Sequence, residues 1–128
     1  MSERFSALLD THVLLWWLNG DPRINAEREQ QLSLLPCLVS AVSIWEVAIK
    51  YRRGKLPVSP KTLLECVKSA GLRTLPIQPE HTAATAELPD HHNDPFDRLL
   101  IAQAQTERLK LITADRILLR YGNPVELL

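Results

Sequence analysis

No stretch of this 128-residue chain matches GxGxxG, GxxxxGK[ST] or GxSxG. Dinucleotide binding, P-loop nucleotide binding and the serine-hydrolase elbow therefore have no support. Cysteine is nearly missing. Cys37 and Cys66 lie in apolar stretches (PCLVS and LLECVKSAGL) without zinc or redox spacing, and read as buried free thiols of a reducing compartment. There is no excess of either charge, since Lys+Arg and Asp+Glu balance at 15 each, so the chain is not a globally basic nucleic-acid binder. Any anionic partner must be drawn by a local patch. Long hydrophobic runs are missing too: Val13 to Leu18 is too short to span a bilayer, and the run before Asp10 is too short for a signal peptide. A cytoplasmic protein with no membrane association is expected. Glycine is scarce, at 4 against 9 prolines, and there is neither low-complexity sequence nor an internal repeat. With 45% hydrophobic and 23% charged residues the composition is that of a folded domain, and residues 1–128 are expected to form a single one.

What is present alternates between short apolar runs and helical stretches. Phe5 to Leu9 reads as a strand ending at Asp10, and residues 11 to 19 as an apolar helix closed by Gly20-Asp21-Pro22. Arg23 to Leu35 fits a more polar helix. Cys37 to Val39 reads as a second strand, and Ser40 or Ser43 can cap a helix to about Arg53, with Gly54 as its left-handed terminator. Pro60 to Ala70 reads as a helix, Leu72 to Ile77 as a strand, Pro79 to Leu88 as a helix and PDHHND as a polar loop. Asp94-Pro95 opens a helix, with Asp at the N-cap and Pro at the first helical position. Lys110 to Thr113, Ala114 to Arg120 and Val125 to Leu127 complete the pattern as strand, short helix and strand. This alternation predicts an α/β fold with a parallel sheet and right-handed crossovers.

Four acids, Asp10, Glu46, Asp97 and Asp115, fall at strand-to-helix junctions or near helix starts. Each has a local structural explanation. Ser43-x-x-Glu46 matches a capping box, Asp97 lies in the first turn after Asp94, and Asp115 can cap the helix that follows it. Asp10 is harder to explain, because a charge directly after a buried strand and before the most apolar helix is costly without compensation. Jointly the four point to the carboxyl edge of the sheet, where α/β folds gather ligands. Acids that cannot neutralise one another suit a hard cation, and all-oxygen ligation favours Mg²⁺ or Mn²⁺ over zinc. Two such ions can activate a water and stabilise the leaving oxygen of a phosphodiester. The histidines form no i, i+4 pair: His12 is helical, His81 is isolated, and the adjacent His91 and His92 read as solvated or near a substrate path rather than as ligands.

The segments LLDTHVLLWWL, SAVSIWEVAIKYRRGKL, DPFDRLLIAQA and LITAD, in that order and spacing, closely resemble the PIN-domain ribonucleases of the VapC toxin type over essentially the whole chain. The resemblance implies a three-layer fold with a central parallel sheet of four to five strands flanked by helices. It implies a Mg²⁺ or Mn²⁺ site, hydrolysis of RNA phosphodiesters and control by a small cognate antitoxin. Asp10, Glu46, Asp97 and Asp115 match the family's catalytic acids, with Asp10, Asp97 and Asp115 as the metal ligands; Thr11 and Thr113 match its small hydroxyl positions.

Lys50, Arg52 and Arg53, in the run KYRRGK, are the best candidates for phosphate contacts, with Tyr51 able to stack on a base; Arg98, beside Asp97, is another. The apolar helix with Trp16 and Trp17 has no polar face, so a partner or the core must cover it. A homodimer that also binds an antitoxin segment is expected. The rival expectation is a PIN-like module that binds RNA or protein without cutting, its acids serving as caps and salt-bridge partners.

Overall fold

The computed structural model describes residues 6–128, so the Phe5 end of the first expected strand lies outside the described residues. Five parallel strands, β1 (Ala7–Leu9), β2 (Cys37–Ser40), β3 (Arg73–Leu75), β4 (Lys110–Thr113) and β5 (Val125–Leu127), form one sheet in the order β3-β2-β1-β4-β5. The first two crossovers run outward from β1 to β3, and the chain then returns to pair β4 with the other side of β1. The strand order therefore reverses between β1 and β4. Such a switch point leaves a crevice beyond the carboxyl ends of the strands, and the chains leaving β1 and β4 diverge there.

Strand alternation builds two cores from short apolar runs. Leu8, Leu38 and Leu111 pack on one face with Leu99, Leu100 and Ile101 of α6 (Pro95–Glu107). Ala7, Leu9, Cys37, Val39 and Ile112 pack on the other, with Val13 and Leu14 of α1 (Thr11–Leu18), Leu32 of α2 (Ala26–Leu34), Val47 of α3 (Ala41–Arg52) and Leu63 and Val67 of α4 (Pro60–Ser69). Successive residues point to opposite faces, so a sheet covered on both sides needs apolar residues at every strand position. The remaining helix, α5 (Pro79–Ala84), continues into a 3-10 turn at Thr85–Glu87. On α1 only Thr11, Val13 and Leu14 are buried, which leaves Trp16 and Trp17 half-covered.

Helix starts follow the expected chemistry with one correction. The Asp94 carboxylate accepts from the N–H groups of Phe96 and Asp97, and Pro95 takes the first helical position. In α3, however, the cap is Ser40, whose Oγ accepts from Val42 N at 2.9 Å. Ser43 lies one turn further in, bonded to Thr11, so the capping box with Glu46 does not form. Gly54 and Gly71 are both left-handed, in keeping with their helix-terminating role. The segment after β4 is a 3-10 helix over Arg116–Tyr121, started by Asp115, which accepts from Ile117 N. Cys66 is exposed, contrary to the buried reading, because it lines an open groove between α1 and α4; Cys37 is buried, and burial pushes its thiol up to about 11.

His81 is not isolated in the fold. Its Nδ1 accepts from Gln78 N, its Nε2 meets Glu107 at 2.7 Å, and buried Gln103 links it to Ser40 Oγ and the Pro76 carbonyl. This network fastens α5 and α6 to the end of β2. At the far end of α6, Arg108 holds φ 59 and ψ 46, the left-handed region where a Cβ is unfavourable. Arg108→Gly is expected to raise stability by roughly 0.5–1 kcal/mol, read as a higher urea midpoint with unchanged slope.

Candidate active site

Asp10 is the N-cap residue of α1 by position, yet its side chain makes no cap bond. Instead Oδ2 accepts from the Thr113 hydroxyl at 2.8 Å across the switch point, while Oδ1 is buried without a hydrogen-bond partner. The same Thr113 oxygen accepts from Asp115 N, so one hydroxyl aligns the acid after β1 with the acid after β4. Glu46 projects from the second turn of α3 and is 3% exposed, against 4% for Asp10. Its Oε2 takes a 2.6 Å bond from Lys50 Nζ, and Oε1 is buried with no partner. Thr11 Oγ1 and Ser43 Oγ share a 2.8 Å bond that ties α1 to α3 beside these acids. Two buried carboxylate oxygens without a donor are costly, and a cation together with its coordinated water would relieve them.

Electrostatics bring the remaining acids into the same cluster. Burial, and after it the neighbouring charges of Asp10, Asp94, Glu46 and Asp115 in that order, together raise Asp97 to about 8. Burial likewise pushes Asp10 upward, against the opposing Thr113 bond and the His12 charge, with Glu46 adding to the rise. For Lys50, burial pulls downward, but the bond to Glu46 and the charges of Glu46, Asp94 and Asp97 outweigh it. Lys50 thus belongs to the acid cluster rather than to a free basic patch. Arg52 and Arg53 are exposed at the end of α3, six and seven residues past Glu46, about 9–10 Å along the helix.

Arg98 departs from its expected role. Its Nη1 donates to the Pro89 carbonyl at 2.9 Å, and its Nη2 to the Thr85 and Leu88 carbonyls at 3.0 and 3.2 Å. Longer contacts reach the His92 carbonyl and Tyr121 Oη. The guanidinium is therefore engaged in holding the loop before α6. The sequence placed His92 in solvent or near a substrate path rather than among the ligands, and in the fold its Nε2 lies 3.5 Å from Asp97 Oδ2 and 3.6 Å from Asp115 Oδ2. The nearby Asp94-Pro95 helix start adds a second signal, by placing His92 two residues before the N-cap. Trp45, next to Glu46, is 50% exposed and meets Phe96, next to Asp97, edge-on at 4.9 Å, forming an aromatic rim beside the acids.

Asp97 gives the site a definite pH response. A carboxyl whose pKa is 3.8 unfolded and about 8 folded supports the fold fully below pH 4, and that support is lost as pH rises towards 8. A bound cation replaces the proton, so its stabilising effect grows over the same window. Saturating Mn²⁺ is expected to raise Tm several degrees more at pH 8.5 than at pH 6, measured by differential scanning fluorimetry. Equal shifts at the two pH values would contradict the clustered acids.

A doubly covered parallel sheet with acids gathered at its switch point defines an α/β domain with an acidic carboxyl-edge site. The PIN domain family model matches residues 7–124, and the chain belongs to that family. It is 30% identical over 122 residues to Ribonuclease VapC22 of Mycobacterium tuberculosis, covering 93% of this chain and 94% of that one. Among solved structures it is similar to VapBC2 from Rickettsia felis bound to a promoter DNA fragment, with a TM-score of 0.70 and 18% identity over 97% of this chain and 98% of that one. DNA-bound VapBC from Salmonella typhimurium gives a TM-score of 0.71 at the same identity and coverage.

Proposed function

We propose that this protein is a Mg²⁺- or Mn²⁺-dependent endoribonuclease acting as the toxin of a toxin-antitoxin pair. The observation that carries the reading is the pair of buried, partnerless oxygens, Asp10 Oδ1 and Glu46 Oε1, in a cluster whose Asp97 is held protonated to about pH 8 by burial and its neighbours. Asp10, Asp97 and Asp115 would hold the ion, which when bound lowers the pKa of a coordinated water and screens the phosphate charge. Thr113 keeps Asp10 and Asp115 in register, and Lys50 neutralises one oxygen of Glu46. Glu46 Oε1 is the free acceptor and orients the attacking water, which adds in line to phosphorus to leave a 5′-phosphate and a 3′-hydroxyl. Arg52 and Arg53 are proposed to contact phosphates further along the strand.

The family relative named a ribonuclease and the VapBC complexes of the same fold support an RNA substrate and an antitoxin partner. An apolar groove lined by Leu15, Leu18, Val58, Leu63 and Cys66 lies between α1 and α4 and suits an inserted antitoxin segment. Homodimerisation would cover further apolar helix surface, and the absence of a helix long and apolar enough to cross a membrane among the described residues is consistent with a cytoplasmic site of action. The test is a defined RNA pool incubated with purified protein in Mg²⁺ or in EDTA, followed by sequencing of the new ends. Cleavage in Mg²⁺ alone, with 5′-phosphate ends, is the expected result. A non-catalytic PIN-like module would leave the RNA intact, and a cluster serving only as caps would give no specific heat on calorimetric titration with Mn²⁺.

A further inference from the structure

His92 presents a defined donor to the acid cluster. The Asp94 backbone N–H donates to His92 Nδ1 at 3.0 Å, and since a backbone N–H can only donate, Nδ1 keeps its lone pair and the ring proton sits on Nε2. Nε2 then stands 3.5 Å from Asp97 Oδ2 and 3.6 Å from Asp115 Oδ2, too far from either for a normal hydrogen bond. A protonated nitrogen cannot ligate a cation. The three ligand-type atoms of His92, Asp97 and Asp115 lie within 4.8 Å of one another, but this tautomer makes the histidine a donor rather than a ligand.

The ring is also fixed in place. The His92 carbonyl is approached by Arg98 Nη1 and Tyr121 Oη at 3.5 Å each, and the adjacent His91 ring packs edge-on against Tyr121 at 5.0 Å. Arg98 simultaneously holds the Thr85, Leu88 and Pro89 carbonyls of the 3-10 turn and the start of the loop that follows it. A donor that is keyed at one nitrogen, anchored through its backbone and left without a close acceptor at the other nitrogen is arranged for a group that arrives with the substrate.

We propose that His92 is a catalytic residue whose Nε2–H donates to a non-bridging phosphate oxygen of the RNA strand being cut, on the Asp97 and Asp115 side of the site. The proposal rests on the nuclease reading above. As charge builds on the phosphate oxygens during attack, this donor is worth more than in the ground state, so its loss falls on kcat more than on KM.

The test compares the parent with His92→Ala and His92→Gln, the latter keeping an N–H donor at similar reach. His92→Ala is expected to lower kcat about 100-fold, the size seen for loss of one such donor, and His92→Gln to recover at least about tenfold of it. Mn²⁺ affinity by calorimetry should change less than threefold in both. In the Mg²⁺-loaded parent, ¹⁵N NMR should find Nδ1 unprotonated and Nε2 protonated. A metal-ligand role would instead weaken Mn²⁺ binding at least tenfold in both variants and strip the proton from Nε2. A merely structural role would leave His92→Gln as slow as His92→Ala, with Tm lowered in both. Either result overturns the proposal. If the parent neither binds Mn²⁺ nor cuts RNA, the nuclease reading fails and this one with it; if the parent is active and His92→Ala keeps full kcat, only the His92 assignment falls.

Discussion

Asp97→Asn is expected to give a metal-free protein that melts higher than the parent and an enzyme that scarcely cuts RNA. The two effects have one origin. At pH 8 the parent must either keep a proton on a carboxyl that would be ionised in the unfolded chain, or hold a charge that burial and four neighbouring acids oppose. Asparagine has nearly the same shape and no charge to lose, so that cost disappears. A Tm rise of roughly 3–8 °C at pH 8 follows, shrinking towards zero below about pH 3, where the parent carboxyl is protonated in both states. The same substitution removes an anionic ligand oxygen, and with it several kcal/mol of charge stabilisation, so the cleavage rate should fall roughly 10²- to 10⁴-fold. Melting curves and initial rates on one preparation check both halves. A variant that is both less stable and fully active would mean that Asp97 is an ordinary first-turn acid of α6.

Arg98→Lys is the second large effect, and it separates two roles that the sequence left together. In the fold the guanidinium fork holds three carbonyls of residues 85–89 at ordinary hydrogen-bond distance. Lysine keeps the charge but offers a single point donor, so most of those carbonyls lose their partner. A loss of about 2–4 kcal/mol is expected, read as a lower urea midpoint with the slope unchanged. RNA cleavage should fall along with it, because the same loop carries His92 to the site. Were Arg98 a phosphate contact, as its place beside Asp97 suggested, stability would hold and KM alone would rise.

The pattern of strands and helices was legible because each apolar run is bounded by breakers and caps that act locally. Asp94-Pro95, Gly54 and Gly71 do in the fold what their chemistry dictates. Asp10 was legible for a related reason, since no local group could compensate a charge in that position. The capping box at Ser43 was misread because two serines three residues apart both suit a cap. Which of them serves depends on where β2 ends, and β2 ends where its pairing with β3 ends, at Ser40. Lys50 and Arg98 were read by charge alone. Their partners, Glu46 one turn back and a loop several residues upstream, take them out of the free basic surface. His92 was least legible of all, since its approach to Asp97 and Asp115 depends on how the loop before α6 folds under Arg98.

The pairing of β1 with β4 has a consequence for synthesis. Thr113 reaches Asp10 across 103 residues of chain, so β1 waits for β4 before the acids meet. Contacts that distant in sequence form late. A nascent or truncated copy that stops short of β4 would carry Asp10, Glu46 and even Asp97, and still lack the hydroxyl and the carboxylate that close the cluster. On the nuclease reading proposed above, the site would close only after β4 has been made.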